Sequence, residues 1–252
     1  MFAYRFAKLV ACVALVFSSA VVADENKPQA SISELRIEGL RALERGDRLA
    51  ASDTADTILL DHGDDSRAIR IAADLLLRSG KIHSSIKQFE RYLELVPGDR
   101  ADLWQYGIAL TLANQYEDGR KLFELHRVAN PNDVENAAWH FLCVAKTTGI
   151  KEAQKRVLPA PNDARPPMAE IHRMLIDGKF QRVTDAMESM PEGTQAREVA
   201  EFYGNLYMGL LADAQNNRTK ALRLVGASTN TNQSNYMSDI ARIYLSEIEA
   251  EK

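Results

Sequence analysis

His140 and Cys143 are the residues whose types and spacing come closest to catalytic chemistry. Three positions apart on a helix, they would share one face, and a cysteine beside a histidine is the arrangement of a thiol nucleophile with its general base. A free cysteine is also among the residues most often buried in protein cores. We therefore interpret Cys143 as a small core residue and His140 as a residue of the seam between helices.

Motifs that hold metals, nucleotides or acyl nucleophiles are absent from the sequence. No H-E-x-x-H or C-x-x-C motif supplies zinc ligands, and no G-x-S-x-G, P-loop or G-x-G-x-x-G motif occurs. The run from Asp61 to Asp65 lacks the alternating ligands and terminal glutamate of an EF-hand. The sequence therefore predicts a protein that is not an enzyme, with no catalytic residue, no metal site and no cofactor.

The composition is that of a globular protein, with 46% hydrophobic and 26% charged residues. The 252 residues allow one elongated domain or two compact ones with a sizeable core. There are 31 basic and 35 acidic residues, and the net charge is −4. This acidic balance argues against a nucleic-acid partner, because nucleic-acid-binding proteins usually carry a basic face.

Residues 1–23 are predicted to form a secretory signal peptide. Arg5 and Lys8 make a positive n-region, an uncharged apolar run follows, and Val21 and Ala23 precede the expected cleavage site. The apolar stretch of about 15 residues is shorter than the roughly 20 that span a bilayer. We therefore expect cleavage rather than an uncleaved membrane anchor, and export to the periplasm or the medium.

Cleavage would limit how the mature chain is anchored or cross-linked. Cys12 lies in a Leu-Val-Ala-Cys sequence that resembles a lipobox, but only three apolar residues separate it from Lys8, so we interpret it as part of the signal peptide. The mature chain keeps Cys143 alone and cannot form an intrachain disulfide. No later apolar run reaches membrane-spanning length, and residues 24–31 are expected to be disordered.

The body of the chain repeats with a period of 34 residues. Apolar residues recur at i, i+3, i+4 and i+7, which is helical spacing, and a Gly or Asn turn divides each unit into two helices. A frame starting at residues 32, 66, 100 and 134 aligns the units, as is typical of helical solenoids. Three pairs of like residues share this phase: Gly46 and Gly80, Phe89 and Phe123, and Pro97 and Pro131.

These residues resemble the punctuation of the tetratricopeptide repeat (TPR), a helix–turn–helix unit. The matching positions are Leu35, Gly39, Gly46 and Ala51 in unit one; Ile69, Ala73, Gly80, Ser85, Phe89 and Pro97 in unit two; and Leu103, Gly107, Asn114, Gly119, Phe123 and Pro131 in unit three. The order of parts is similar to that of secreted bacterial TPR proteins and, more distantly, of the outer-membrane lipoprotein TPR adaptors. The resemblance implies an all-α, right-handed superhelical solenoid.

The predicted units are 32–65, 66–99, 100–133 and a fourth, 134–157, which breaks at Pro159. Four prolines between residues 158 and 167 exclude a continuous helix there. We therefore divide the remainder into two parts: 158–201, a proline-rich interruption with a degenerate helix pair around Gly178, and 202–252, a last TPR-like repeat with a capping helix.

The resemblance also implies a concave groove, lined by the first helix of each unit, that binds a peptide or a helix. The family's carboxylate clamp is not present, because Leu40 and Asp74 stand where it needs asparagine. Pairing of an arginine with an acid four residues on, such as Arg70 with Asp74, is the alternative role for the basic residues. The predicted groove residues are Arg36, Arg67, Arg70, Trp104, Ile108 and Thr111.

Together these features predict a non-catalytic protein–protein interaction module, an adaptor or scaffold of the bacterial periplasm or cell envelope. One alternative is an envelope enzyme or small-ligand-binding protein with a site in residues 158–200. A closed cavity there with a buried His172 or Asp177 would support it. Another alternative is a self-associating structural protein, a homodimer formed through the apolar face of the C-terminal helix if that face is exposed.

Overall fold

The computed structural model describes residues 29–250, and the predicted signal peptide 1–23 lies outside them. This part of the chain folds into α-helices and one short 3₁₀ segment, Pro97–Asp102, and contains no β-strand. The α-helices are α1 Ile32–Glu44, α2 Arg48–His62, α3 Ser66–Arg78, α4 Ile82–Leu95, α5 Trp104–Leu112, α6 Tyr116–Ala129, α7 Val134–Thr148, α8 Ile150–Lys155, α9 Met168–Asp177, α10 Gln181–Glu188, α11 Gln195–Ala214, α12 Arg218–Thr229 and α13 Tyr236–Ala250.

Short polar and glycine signals set the helix ends. At the start of α1, Ser31 and Glu34 form a reciprocal capping box. The Asp65 carboxylate accepts hydrogen bonds from the Arg67 and Ala68 amides and caps α3. The turn after α3 needs a positive φ of 87°, which Gly80 adopts without strain.

Consecutive helices pack as antiparallel hairpins, and each hairpin stacks on the next. Helices α1 and α2, α3 and α4, and α5 and α6 pair, with further packing of α2 on α3, α4 on α5 and α6 on α7. Small residues permit the close crossings: a Cβ on Gly107 would lie 2.7 Å from the Phe123 ring. The all-α fold of stacked helix–turn–helix units is therefore confirmed.

The second half of the chain is less regular. Helix α8 has only six residues, and residues 156–167 contain no helix. A short hairpin of α9 and α10 turns at Gly178, and a long one joins α11 to α12. Helix α11 is 20 residues long and begins at Gln195, seven positions before residue 202.

One continuous core runs from α3 to α13, and a smaller cluster lies beneath α1 and α2. Residues 29 and 30 are tied to the end of α2: the Gln29 amide donates to the Asp61 carbonyl, and His62 Nε2 lies 2.8 Å from the Ala30 carbonyl oxygen. Among residues 29–250, no helix has the length and hydropathy required to cross a membrane.

Candidate functional site

Helix α13 returns from the end of the chain to the first helices of the repeats. It packs on α12, its neighbour in sequence, and on α3, about 160 positions earlier. Arg78 of α3 forms an ion pair with Asp239 of α13, with Nη2 and Oδ2 2.9 Å apart, and its Nε donates to the same oxygen. The second repeat and the last helix are thereby joined across the face on which the sequence predicts an open groove.

Tyr236, the first residue of α13, is the centre of this junction. Its hydroxyl donates to Asp74 Oδ1 at 2.8 Å, and its ring meets Trp104 edge to face with centroids 4.7 Å apart. The Arg78 guanidinium lies 4.9 Å from the Tyr236 ring centroid, within the range of a cation–π contact. One side chain thus links α13 to both α3 and α5.

The polar groups of the junction are only partly exposed to water. Burial raises the pKa of Asp74, and the nearby Arg78 and the Tyr236 hydroxyl partly oppose that rise. Burial likewise raises the pKa of Asp239, again opposed by Arg78. The pKa of Tyr236 is raised well above its usual value by burial and by the Asp74 carboxylate, so its hydroxyl remains a donor at neutral pH.

Beside the junction lies a cavity of about 400 Å³, which we call the arginine cleft. Its lining includes four arginines but only one acid, Asp74. Tyr236 forms part of the wall, with apolar side chains of α1 and α3 beside it. The arginines are Arg36, Arg67, Arg70 and Arg78.

The arginines of the cleft differ in how they are paired. Arg36 and Arg67 are exposed and form no hydrogen bond or ion pair through their side chains with residues 29–250. Arg70 lies 3.5 Å from Asp99. Arg70 does not form the ion pair with Asp74 that was its alternative role. Instead, Arg78 Nη1 lies 3.9 Å from Oδ2 of Asp74, which is four residues earlier in the chain. The cleft therefore keeps unbalanced positive charge.

The other three predicted groove residues lie elsewhere. Trp104 and Ile108 of α5 line a second cavity, of about 230 Å³, on the other side of Tyr236. Thr111 is buried, and its hydroxyl donates to the Gly107 carbonyl and lies 3.1 Å from Cys143 Sγ. The structure thus brings the predicted arginines together but separates them from Trp104, Ile108 and Thr111.

His140 and Cys143 do not form the geometry of a nucleophile and its base. Cys143 is fully buried, and burial raises its thiol pKa to about 12. His140 Nε2 lies 3.2 Å from Glu124 Oε1 of α6. Burial lowers the pKa of His140, against the opposing effect of Glu124. Both residues belong to the seam between α6 and α7.

The two residues that would mark a site in residues 158–200, His172 and Asp177, lie at or near the surface. His172 is partly exposed, with Nε2 2.8 Å from the Leu158 carbonyl oxygen. Asp177 is exposed and accepts hydrogen bonds from the Lys179 amide and Arg182 Nε. Neither residue is buried in a closed cavity. The alternative of an enzyme or ligand site in residues 158–200 therefore lacks the feature that would support it.

The apolar face of α13 is covered within the chain. Met237, Ile240, Ile243, Tyr244 and Ile248 are all buried. The condition for predicting a homodimer through this helix, an exposed apolar face, is therefore not met.

Sequence patterns did not identify Asp239 and Tyr236 as residues of the site. Their contacts join positions more than 160 apart, and a helical repeat pattern gives only neighbouring contacts. The one local signal for this junction is the carboxylate of Asp239, which lies in the first turn of the amphipathic helix α13, next to the buried Ile240. No group of histidine, cysteine and acidic residues within 29–250 has the arrangement of a metal site.

The fold of this chain is similar to that of a solved structure. It is a tetratricopeptide repeat protein from Parabacteroides merdae ATCC 43184, which is 11% identical, with a TM-score of 0.47 over 85% of this chain and 98% of that chain. No protein-family model matches the sequence, and no curated protein matches it.

Proposed function

We propose that this protein is a non-catalytic interaction module of the bacterial cell envelope, and that it binds an acidic segment of a partner protein in the arginine cleft. The observation that carries the proposal is the pair Arg36 and Arg67, which are exposed and whose side chains form no hydrogen bond or direct ion pair within residues 29–250. Export to the periplasm or the medium is supported by the signal-peptide pattern of residues 1–23.

The charge of the cleft favours an acidic partner. The chain as a whole has a net charge of −4, yet the cleft lining carries four arginines against one aspartate. Guanidinium groups pair bidentately with carboxylates, and such charge-assisted hydrogen bonds are stronger than neutral ones. Phe89 and Leu40, which also line the cleft, provide apolar contact for one bulky side chain of the partner.

The position of α13 defines how much of the concave face remains for a partner. Tyr236 closes the cleft on the side of α5, so a whole helix cannot lie along α1, α3, α5 and α7 together. An extended peptide that ends in the cleft fits this geometry, with its acidic side chains or its terminal carboxylate on Arg36 and Arg67.

Titration of short fluorescent peptides tests the proposal. We expect an acidic peptide containing one phenylalanine to bind, a basic peptide of equal length not to bind, and affinity to fall as salt rises. The double variant Arg36→Glu/Arg67→Glu should lose at least about tenfold in affinity.

The matched control is Lys87→Glu/Lys151→Glu, which makes the same change in net charge at exposed positions of α4 and α8. An equal loss of affinity in both double variants would show that the effect comes from the net charge of the protein and not from the cleft. Equal binding of the acidic and basic peptides would contradict the proposal.

A further inference from the structure

The second cavity lies between the helices of the repeats and α13, and we call it the aromatic cavity. Its volume is about 230 Å³, and an engineered protein cavity of about 150 Å³ holds benzene. A molecule with one aromatic ring and a short polar chain therefore fits it. Its aromatic walls are Trp104 of α5, Trp139 of α7, Tyr203 of α11 and Tyr236 of α13.

Two residues of the lining each carry a buried polar atom that has no hydrogen-bond partner within residues 29–250. Trp139 is 1% exposed, and its indole Nε1–H has no hydrogen-bond acceptor within residues 29–250. Asn136 is 4% exposed; its Nδ2 donates to the Phe123 carbonyl, but its Oδ1 accepts nothing. Leaving such an atom unsatisfied costs about 1–3 kcal/mol. The donor and the acceptor lie one turn apart on α7.

Carboxylates give the cavity its charge. Asp133 and Glu135, at the start of α7, both line it. Arg165 pairs with Asp133, Glu135 and Asp163, so one guanidinium serves three acids. Glu135 also accepts a hydrogen bond from the buried Tyr207 hydroxyl at 2.7 Å. Burial raises the pKa of Glu135, so a cation nearby would stabilise its charged form.

Aromatic faces combined with carboxylates are the usual recognition elements for an organic cation. An ammonium group satisfies the Asn136 oxygen and the excess negative charge, and a hydroxyl or carbonyl oxygen close to the ammonium group satisfies the Trp139 N–H. An aromatic ring fills the apolar remainder between Ile108 and Met237. The unpartnered atoms, the charge and the shape thus all fit the same kind of molecule.

We propose that the aromatic cavity is a binding site for a small arylalkylamine that carries an oxygen next to its ammonium group. The site is separate from the arginine cleft, whose charge is opposite, and each can fail independently of the other. Helix α13 contributes Tyr236 and Met237 to the lining, so bound amine would also hold α13 in place.

Three probes with one skeleton test the choice of ligand: 2-amino-1-phenylethanol, which is cationic, 1-phenylethanol, which is neutral, and mandelic acid, which is anionic. The two tryptophans of the chain both line the cavity, so intrinsic fluorescence reports occupancy directly. We expect saturable binding of the amine, at least about tenfold tighter than the neutral probe, and none of mandelate. The amine should also raise the melting temperature.

Two variants identify the groups responsible. Phenethylamine lacks the hydroxyl, and we expect wild-type protein to bind it about tenfold more weakly than 2-amino-1-phenylethanol. In Trp139→Phe, which removes the N–H and keeps a ring, the two amines should bind equally. Asp133→Asn keeps the helix cap and should reduce the preference for the amine over the neutral probe. The control is Asp118→Asn, an exposed acid of α6, which should leave all affinities unchanged.

The proposal is overturned if the amine produces neither saturable fluorescence change nor a rise in melting temperature at concentrations of about 10 mM, far above a useful affinity. Equal binding of the three probes would also overturn it, because the cavity would then select by size alone. If Trp139→Phe fails to fold, Asp133→Asn and the probe series still decide the outcome.

Discussion

Arg78 of α3 and Asp239 of α13 form an ion pair, with Nη2 and Oδ2 2.9 Å apart, that joins the second repeat to the last helix. Their side chains are only 14% and 11% exposed. Removing one partner of such a pair leaves the other partly buried charge with a single remaining partner, Arg242 for Asp239 and Asp74 for Arg78. The pair therefore ties the position of α13 to the stability of the whole fold.

We predict strong coupling between Arg78 and Asp239 in a double-mutant cycle. Arg78→Ala and Asp239→Ala should each destabilise by about 2 kcal/mol, less than the roughly 3–5 kcal/mol for breaking a fully buried pair because each residue keeps a second partner, and the double variant by clearly less than the sum. Urea unfolding measures all four species. The exposed pair Lys121 and Asp118 serves as the control and should show coupling below about 1 kcal/mol. Coupling no greater than in this control would mean that the contact does not hold α13.

The close approach of α11 and α12 makes opposite predictions for two glycines. A Cβ on Gly209 would lie 2.5 Å from Val225 Cγ2 and 3.0 Å from its amide nitrogen, whereas a Cβ on Gly226 would meet nothing within 4 Å. Gly209→Ala should destabilise by about 1–3 kcal/mol through overpacking. Gly226→Ala should stabilise by up to about 1 kcal/mol through helix propensity. Equal effects of the two substitutions on thermal unfolding would contradict the described hairpin.

The hairpins themselves could be predicted from the sequence, because their causes are local. Gly80 stands where the turn needs a positive φ, and Gly107 stands where Phe123 crosses closely. The period of 34 residues follows from these repeated positions. Of the six residues predicted for the groove, Arg36, Arg67 and Arg70 line one cleft, whereas Trp104, Ile108 and Thr111 lie outside it.

The position of α13 could not be predicted in the same way. Its apolar face predicted an exposed interface or a cap, and the pattern is the same whether that face meets another chain or its own α3. The choice depends on contacts such as Tyr236 with Asp74, 162 positions apart, which leave no periodic signal. The aromatic cavity follows from the same contacts, since its walls come from α5, α7, α11 and α13.

Cys143 should be unreactive in the folded protein. Burial raises its thiol pKa to about 12, and the thiolate is the reactive species. In the chain without residues 1–23, which has no other cysteine, a maleimide at pH 8 should modify Cys143 only after denaturation. A Ser84→Cys variant adds an exposed thiol on α4 and should react at least about a hundredfold faster. Rapid native labelling of Cys143 would contradict its placement in the core.

His140 should make the protein less stable in mild acid. Burial lowers its pKa below 6.5 despite the neighbouring Glu124, and Arg120 and Arg156 act in the same direction as burial. The unfolded chain therefore binds a proton at a higher pH than the folded chain does. The free energy of unfolding should fall as pH decreases below about 6.5, by at most about 1.4 kcal/mol per pH unit from this residue.

His140→Gln retains an amide donor for Glu124 and removes the titration. Its stability should therefore vary less with pH than that of the wild type between about pH 7 and 5, as measured by urea unfolding at each pH. Parallel pH profiles for the two proteins would show that His140 does not titrate with the expected shift.

Site-specific photocrosslinking in the cells that produce this protein tests most directly whether a partner protein engages the arginine cleft through an acidic segment. A photoreactive residue at position 71, in the lining of the cleft, keeps all four arginines and is compared with the same residue at position 87 on the exposed face of α4. We expect a protein adduct from position 71 only, with the crosslinked peptide rich in aspartate or glutamate. No adduct from position 71, or the same adduct from both positions, would contradict the proposal.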